Sequence, residues 1–294
     1  MNNEFKIVPF DLKYKDKIEG GEYLVATRGD NPVRIICWDK LDSDYPIIGL
    51  QRIGNFEFLE NYNKYGRVEL LTDSDSDLMV LIDNEPLFVD LGLPSGNLWA
   101  TRNIDLTQRN GFARSQYQYE CSFFSWGNTD GHNPISEEGF DYDWNESSYS
   151  KTPGAKLNKS EIIHIINNKW KIPTEYDFQE LFDYTDFIKP NGKIITDRNK
   201  KVEVEGVNGI LLESRINEVR LFFPCSGYGY DTSLHSRGSS GYYWSSSLDF
   251  SPDSSLDSSL DPYIYGQSLL FSPGGVNPRG SHYRFSGFPI RPVQ

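Results

Sequence analysis

Short runs of β-branched and aromatic residues alternate with turn-forming clusters along the first eighty residues. The runs are Glu22 to Thr27, Val33 to Trp38, Tyr45 to Gln51, Phe56 to Glu60, Arg67 to Leu71 and Leu78 to Ile82. Apolar runs of this length, bounded by Gly, Pro, Asn and Asp, predict strands, and their succession predicts a small β-rich module. The first two are joined by Arg28-Gly29-Asp30-Asn31-Pro32. This contains the tripeptide of integrin ligands, but Gly-Asp-Asn-Pro between strands also has the residues a hairpin turn requires. Asp73-Ser74-Asp75-Ser76-Asp77 resembles part of a calcium loop. It lacks the Gly and distal Glu of an EF-hand, so a solvated turn is expected.

The pattern resets around Asn84-Glu85-Pro86, which places a boundary between residues 1–84 and 88–294. Two short helices are predicted downstream. Ser160 is a candidate cap for one reaching about Asn167, with Ile162, Ile163, Ile165 and Ile166 on its apolar face. Thr174, with Asp177 three residues on, opens the second, where Phe178, Leu181 and Phe182 repeat at helical spacing. Beyond Phe187 the pattern is short strands, such as Ile210 to Leu212, Val219 to Phe223, Tyr242 to Ser245 and Leu269 to Ser272.

Composition narrows the function. A chain of 294 residues exceeds what one core usually holds, in agreement with two domains. Its net charge of -13 repels phosphate backbones, so no nucleic-acid partner is expected. No apolar run approaches a membrane span, and the opening Met-Asn-Asn-Glu-Phe-Lys has no secretion-signal pattern, so a chain made in the cytoplasm without a membrane partner is expected. Cys37, Cys121 and Cys225 are odd in number and widely spaced, which predicts buried thiols rather than disulfides or a zinc site. The last ninety residues differ from the rest. Lys201 is the final lysine, and Arg215, Arg220, Arg237, Arg279, Arg284 and Arg291 are the only cations after it. Between Ser226 and Gly287, 34 of 62 residues are Tyr, Ser, Gly or Asn. Recognition surfaces favour that mixture and disfavour lysine, so a contact face is expected here, with loop filler as the alternative. The Ser-Leu-Asp triplets between 247 and 261 fit the filler.

Catalytic signatures are sparse. His132, His164, His235 and His282 show no metal-ligand spacing, and there is no nucleophile elbow, P-loop or dinucleotide fingerprint. No metal, cofactor or enzymatic activity is expected. Asp141, Asp143 and Glu146, interleaved with Tyr142 and Trp144, form the best carboxylate cluster for glycoside hydrolysis, and serve sugar binding equally well.

Six blocks in order carry a resemblance. They are Val89-Asp90-Leu91-Gly92-Leu93-Pro94-Ser95-Gly96 with Trp99-Ala100-Thr101 and Asn103; Phe123-Phe124-Ser125-Trp126-Gly127; Trp170-Lys171-Ile172-Pro173-Thr174; Gly206-Val207-Asn208-Gly209; Gly241-Tyr242-Tyr243-Trp244-Ser245-Ser246; and Gly287-Phe288-Pro289-Ile290-Arg291-Pro292-Val293. Together they resemble the paralogous C-type-lectin-like domain of gut Bacteroidales and their phages, related to formylglycine-generating enzyme and to the variable proteins of diversity-generating retroelements. The segments Pro9 to Leu12, Thr27 to Asp39 and Tyr45 to Leu50 resemble a module of Bacteroidales phage proteins, including crAss-like ones.

The resemblance implies a compact α+β, C-type-lectin-like domain at 88–294, with two helices, small sheets and Trp99, Trp126, Trp170 and Trp244 as core anchors. It places ligand contacts at Tyr263, Tyr265, Arg279, Ser281, His282, Tyr283 and Phe285. It further implies a virion-associated attachment or decoration protein that docks to other virion proteins through residues 1–84 and binds a bacterial surface glycan or protein. A homo-oligomer, trimer or dimer, goes with that role. The alternative is a purely structural fibre or capsid component with the C-terminal surface at its oligomer contacts. The calcium-lectin signatures and the reactive cysteine pair of the enzyme relatives are absent, so calcium-mediated sugar binding and catalysis are not implied. The stretch Asp249 to Pro262 exceeds what the family usually carries.

Overall fold

A computed structural model describes residues 5–19, 23–41, 44–54, 56–69, 72–83, 86–108, 111–128, 130–136, 139–145, 170–248 and 265–294. The chain divides into two compact units, Met1–Leu87 and Phe88–Gln294.

In the first unit, β1 (Phe5–Pro9), β2 (Tyr23–Thr27), β3 (Pro32–Cys37), β4 (Ile47–Ile53), β5 (Phe56–Tyr62) and β6 (Leu78–Asp83) form one sheet in the order β1-β6-β2-β3-β4-β5. Every pairing in it is antiparallel. A short helix, α1 (Lys15–Glu19), follows β1. Phe10, Val25, Val33, Ile47, Tyr62, Leu78 and Val80 form the core. The segment 67–69 is not a strand, although Val68 packs against that core. The Arg28-Gly29-Asp30 tripeptide is the β2–β3 turn, with Asp30 at φ 66°. Its arginine faces the acidic turn after β5, at 3.3 Å from Asp73 and 3.8 Å from Asp77. Asp77 is buried and accepts the amides of Val68 and Ser74, so its carboxylate serves turn closure.

The second unit contains β7 (Phe88–Asp90), β8 (Leu98–Ala100), β9 (Gly139–Trp144), α2 (Glu175–Tyr184), β10 (Thr185–Phe187), β11 (Val202–Val204), β12 (Val207–Ser214), β13 (Arg220–Pro224), β14 (Tyr228–His235), β15 (Gly241–Leu248), β16 (Tyr265–Ser272) and β17 (Gly275–Tyr283). They form the sheet β10-β12-β11 with β13 on β12, the three-stranded sheet β15-β16-β17, and the pairs β14-β9 and β7-β8. With 47% of the described residues in strands and 8% helical, the structure is β-rich, which corrects the α+β expectation. The ten residues of α2 are outweighed by strands of three to nine residues linked by tight turns. The expected helix at 160–167 lies outside the described residues.

The helix start read from Thr174 is present. Thr174 Oγ1 accepts the Asp177 amide at 3.2 Å, and Asp177 Oδ2 accepts the Thr174 amide at 2.7 Å, a reciprocal cap. Phe178, Leu181 and Phe182 then face a core shared with Trp99, Leu212, Phe223, Tyr243, Phe271 and Val293. The closing segment returns to the start of the unit, where Leu98 and Gln294 exchange amide–carbonyl bonds at 3.1 and 2.9 Å. No described helix is long and apolar enough to cross a membrane.

Candidate functional site

Indole rings and small residues fix the frame. Trp99, Trp126, Trp144 and Trp244 are fully buried and Trp170 nearly so. Trp126 Nε1 donates to the Ser245 carbonyl at 2.8 Å, and Trp244 Nε1 to that of Phe124 at 2.6 Å. Gly229 and Gly287 exchange backbone hydrogen bonds and lie against Trp144, where a Cβ would come within 2.4 and 2.6 Å of the indole. Ser226, Ser240, Ser245, Ser268 and Ser286 are buried as well. Much of the Tyr/Ser/Gly-rich tail therefore serves close packing around rings.

Two arginines of the tail are likewise internal fasteners, and others hold acidic partners at the surface. Arg291 is fully buried, donates from Nε to Asn103 Oδ1 at 2.8 Å and from one terminal nitrogen to the carbonyls of Ala100 and Thr101, and lies 4.7 Å over the Phe223 ring. Burial pulls its guanidinium down to about 10. Arg284 is buried 4.4 Å over Trp126. Arg215 and Arg220 pair with Asp186 and Glu213, and Arg237 with Glu120. The absence of lysine after residue 201 thus reflects planar, stacking cations used for structure.

One cleft of about 290 Å³ opens in this unit, lined by Tyr228, Tyr230, Tyr242, Tyr265, Ser281, His282, Tyr283, Ser286 and Phe288. Tyr228 and Tyr230 lie two residues apart on β14, so strand periodicity turns them to one side. Tyr265 and Tyr283 are cross-strand partners on β16 and β17, stacked at 5.0 Å and 26°. Phe285 is buried behind them, 4.9 Å from Tyr283 and nearly parallel to it. Tyr228, Tyr242 and Phe288 form a second ring group, with centroids 4.7 to 6.2 Å apart. Tyr230 and Tyr283 remain 38% and 41% exposed, so the cleft is reachable. A hydrogen bond to Tyr283, then burial, holds the Tyr265 phenol above its ordinary range, and burial does the same for Tyr242, so both stay protonated at neutral pH.

Four of the expected contact residues, Tyr265, Ser281, His282 and Tyr283, line this cleft. Phe285 supports it from behind. Arg279 is elsewhere, with its guanidinium 5.2 Å over Tyr176 of α2. Tyr263 lies outside the described residues. Sequence reasoning missed Tyr228, Tyr230 and Tyr242. The Gly227-Tyr228-Gly229-Tyr230 run carried the signal, because alternating Gly and Tyr in a strand gives one face that admits a ring and another that presents two.

His282 joins the cleft to the sheet through a 2.8 Å hydrogen bond between its Nδ1 and Ser268 Oγ. Burial depresses its pKa to about 4, against about 6.5 for a free imidazole. Between these values the unfolded chain holds a proton that the folded chain does not, so the contribution is complete above pH 6.5 and declines as pH falls towards 4. Chemical unfolding of the full chain is expected to show about 2 to 3 kcal/mol less stability at pH 4.5 than at pH 7 from this group. His132 is lowered by burial too and adds in the same direction. Comparison with His282→Asn therefore isolates the term, and an unchanged acid slope in that variant would contradict it.

A second, polar groove of about 320 Å³ is lined by Leu106, Thr107, Gly131, His132, Asn133, Asp141 and Tyr142. Several of its polar groups are satisfied locally, whereas the buried His132 Nε2 has no hydrogen-bond partner among the described residues. The buried Asp105 carboxylate accepts the Thr107 amide and hydroxyl and the Asn133 amide, while the Ser122 hydroxyl donates to Asn133. His132 stacks on Tyr142 at 3.5 Å. On β9, Asp141 and Asp143 are exposed, whereas Phe140 and Trp144 turn inward, and Glu146 lies outside the described residues. Cys121 and Cys225 are buried, with both thiols raised to about 12 by burial, and Cys37 is half-buried. Among the described residues no group of His, Cys, Asp and Glu could hold a metal ion.

No family model, curated protein or solved structure matches this chain. The cleft has therefore to be interpreted from its own chemistry.

Proposed function

We propose that this chain is a non-enzymatic recognition protein, an attachment or decoration component of a virion. In this reading residues 1–84 dock to other virion proteins, and the unit 88–294 holds a bacterial surface glycan or protein in the tyrosine cleft. One observation carries the reading: five tyrosines and a phenylalanine from β14, β15, β16, β17 and the closing segment converge on one open cleft. A tyrosine presents large amphipathic area at small entropic cost, which suits binding. The serine hydrogen-bonded to His282, Ser268, is fully buried and does not line the cleft, so this pair is not presented to a ligand as a nucleophile with its base. The virion context and the bacterial target rest on the resemblance to phage and Bacteroidales domains of the C-type-lectin-like kind.

Full-length protein is expected to bind gut Bacteroidales cells, with Tyr283→Ala weakening binding about tenfold or more and leaving the unfolding midpoint nearly unchanged. Saturable binding that is indifferent to Tyr283→Ala would overturn the assignment of the cleft. The second reading, a structural component, is favoured by a different surface. Strand β5 ends the first sheet, pairs only with β4 among the described strands, and leaves Phe56 and Leu59 71% and 60% exposed. An open apolar edge of this kind is a template for pairing with another chain. A tight oligomer without any cell binding, in the same experiment, is the outcome this second reading expects.

A further inference from the structure

We propose that the basic hairpin at 189–200 is a second contact surface, which holds an acidic polysaccharide bearing spaced carboxylates. The inference stands apart from the tyrosine cleft, and its test can fail without touching that reading.

The chain has a net charge of -13, yet the thirteen residues 189–201 carry five cations, Lys189, Lys193, Arg198, Lys200 and Lys201, against one acid, Asp197. A tight turn gathers three of them. The Gly192 amide donates to the Lys189 carbonyl and the Lys189 amide to that of Lys193, both at 2.8 Å, with Gly192 at φ 81°. Ile188 and Ile194 pair antiparallel one step further in, so Lys189 and Lys193 stand opposite each other with their side chains on one face. The Ile195 amide donates to the Phe187 carbonyl, which continues the register, and Phe187 therefore points to that same face. The Arg198 guanidinium lies 5.4 Å over the Phe187 ring, which brings a third cation to the side of the two lysines. Lys189, Lys193 and Arg198 are all exposed.

Like charges directly opposite on an antiparallel pair cost stability. The unit supplies acids to other arginines, with Asp186 on Arg215, Glu213 on Arg220 and Glu120 on Arg237. Among the described residues Lys189, Lys193 and Arg198 have no such partner, and the nearby Asp197 lies 3.9 Å from Lys200. Three uncompensated cations held together on a rim fit an anion supplied from outside. Spaced charge fits better than dense charge. Duplex DNA carries one charge per ~1.7 Å of its axis, and most of those would lie over a chain of net charge -13. The one ring in 187–201, Phe187, is buried and offers a base no stacking platform. An acidic polysaccharide spaces its carboxylates a sugar unit apart, and the exposed Asn191, Thr196 and Asn199 beside the cations can hydrogen-bond its hydroxyls.

Biolayer interferometry of the full chain on immobilised polygalacturonate, with neutral dextran and duplex DNA as comparisons, tests this directly. Saturable binding to polygalacturonate is expected, weakening as salt rises, with dextran unbound and DNA bound at least about tenfold more weakly. Lys189→Gln combined with Lys193→Gln is expected to weaken polygalacturonate binding about tenfold or more. The same change is expected to leave the unfolding midpoint unchanged or higher, because the like-charge pair is gone. Lys13→Gln with Lys15→Gln removes equal charge from lysines that already face Asp11 and Glu19, and is expected to change binding by less than about twofold. Absence of polygalacturonate binding, equal loss in the two double variants, or DNA bound as tightly as polygalacturonate would overturn the inference. So would a matching loss in Tyr283→Ala, which would place the polymer in the cleft. Tyr283-dependent cell binding by a chain that ignores polygalacturonate keeps the cleft and removes the hairpin site.

Discussion

Replacing Arg291 by Ala is expected to destabilise the unit 88–294 by about 3–5 kcal/mol, a large part of the total stability of an ordinary domain. The guanidinium joins the closing segment to the residues after β8: Nε reaches Asn103, one terminal nitrogen reaches the carbonyls of Ala100 and Thr101, and its face lies on Phe223. Truncation leaves three buried acceptors without this donor and opens a cavity against an aromatic core. Five of the six tryptophans, Trp99, Trp126, Trp144, Trp170 and Trp244, belong to this unit, so urea unfolding followed by indole fluorescence reports on it. Arg291→Lys keeps a charge but loses the planar fork, and is expected to recover less than half of the loss. A change below about 1 kcal/mol in Arg291→Ala would mean that the closing segment is held by something else.

Trp244→Ala combines a stability effect with a functional one. Its indole is fully buried, stacks on Phe288 at 4.1 Å and 24°, and donates to the Phe124 carbonyl at 2.6 Å. Removing it should cost about 3–5 kcal/mol by transfer and cavity terms. Phe288 is also part of the cleft wall, so ligand binding should fall in the fraction that remains folded. Trp244→Phe keeps a ring against Phe288 and abandons the N–H, and is expected to cost about 1–3 kcal/mol for the carbonyl left unpaired. Equal losses in the two variants would show that the hydrogen bond, not the stacking volume, dominates at this site.

Local signals were legible in the sequence wherever short-range chemistry decides the outcome. The Arg28-Gly29-Asp30 segment forms a hairpin turn because its flanking residues demand one, and Thr174 with Asp177 caps a helix. The indoles are buried, as their blocks implied. The balance of the fold was not legible. An isolated α2 carries a strong periodic pattern, whereas β9, β14 and β17 alternate weakly, with glycines and tyrosines standing where apolar residues usually mark a strand. Tail composition misled in a specific way: Arg284, Arg291, Ser226, Ser240, Ser245, Ser268 and Ser286 are internal, because Arg stacks on rings and Ser fills space beside them. Half of the cleft was visible as the segment before the closing Arg-Pro-Val. The other half, Tyr228, Tyr230 and Tyr242, comes from strands distant in sequence, and only tertiary structure brings it there.

Tyrosine-selective nitration of the full chain, free and bound to target cells, addresses the cleft itself. Tyr230 and Tyr283 are open enough to react in the free protein, and Tyr65 and Tyr176 are exposed and do not line the cleft. The expected result is protection of Tyr230 and Tyr283 on binding, with Tyr65 and Tyr176 as reactive as before. Protection of Tyr65 or Tyr176 while Tyr230 and Tyr283 remain fully reactive would contradict the account.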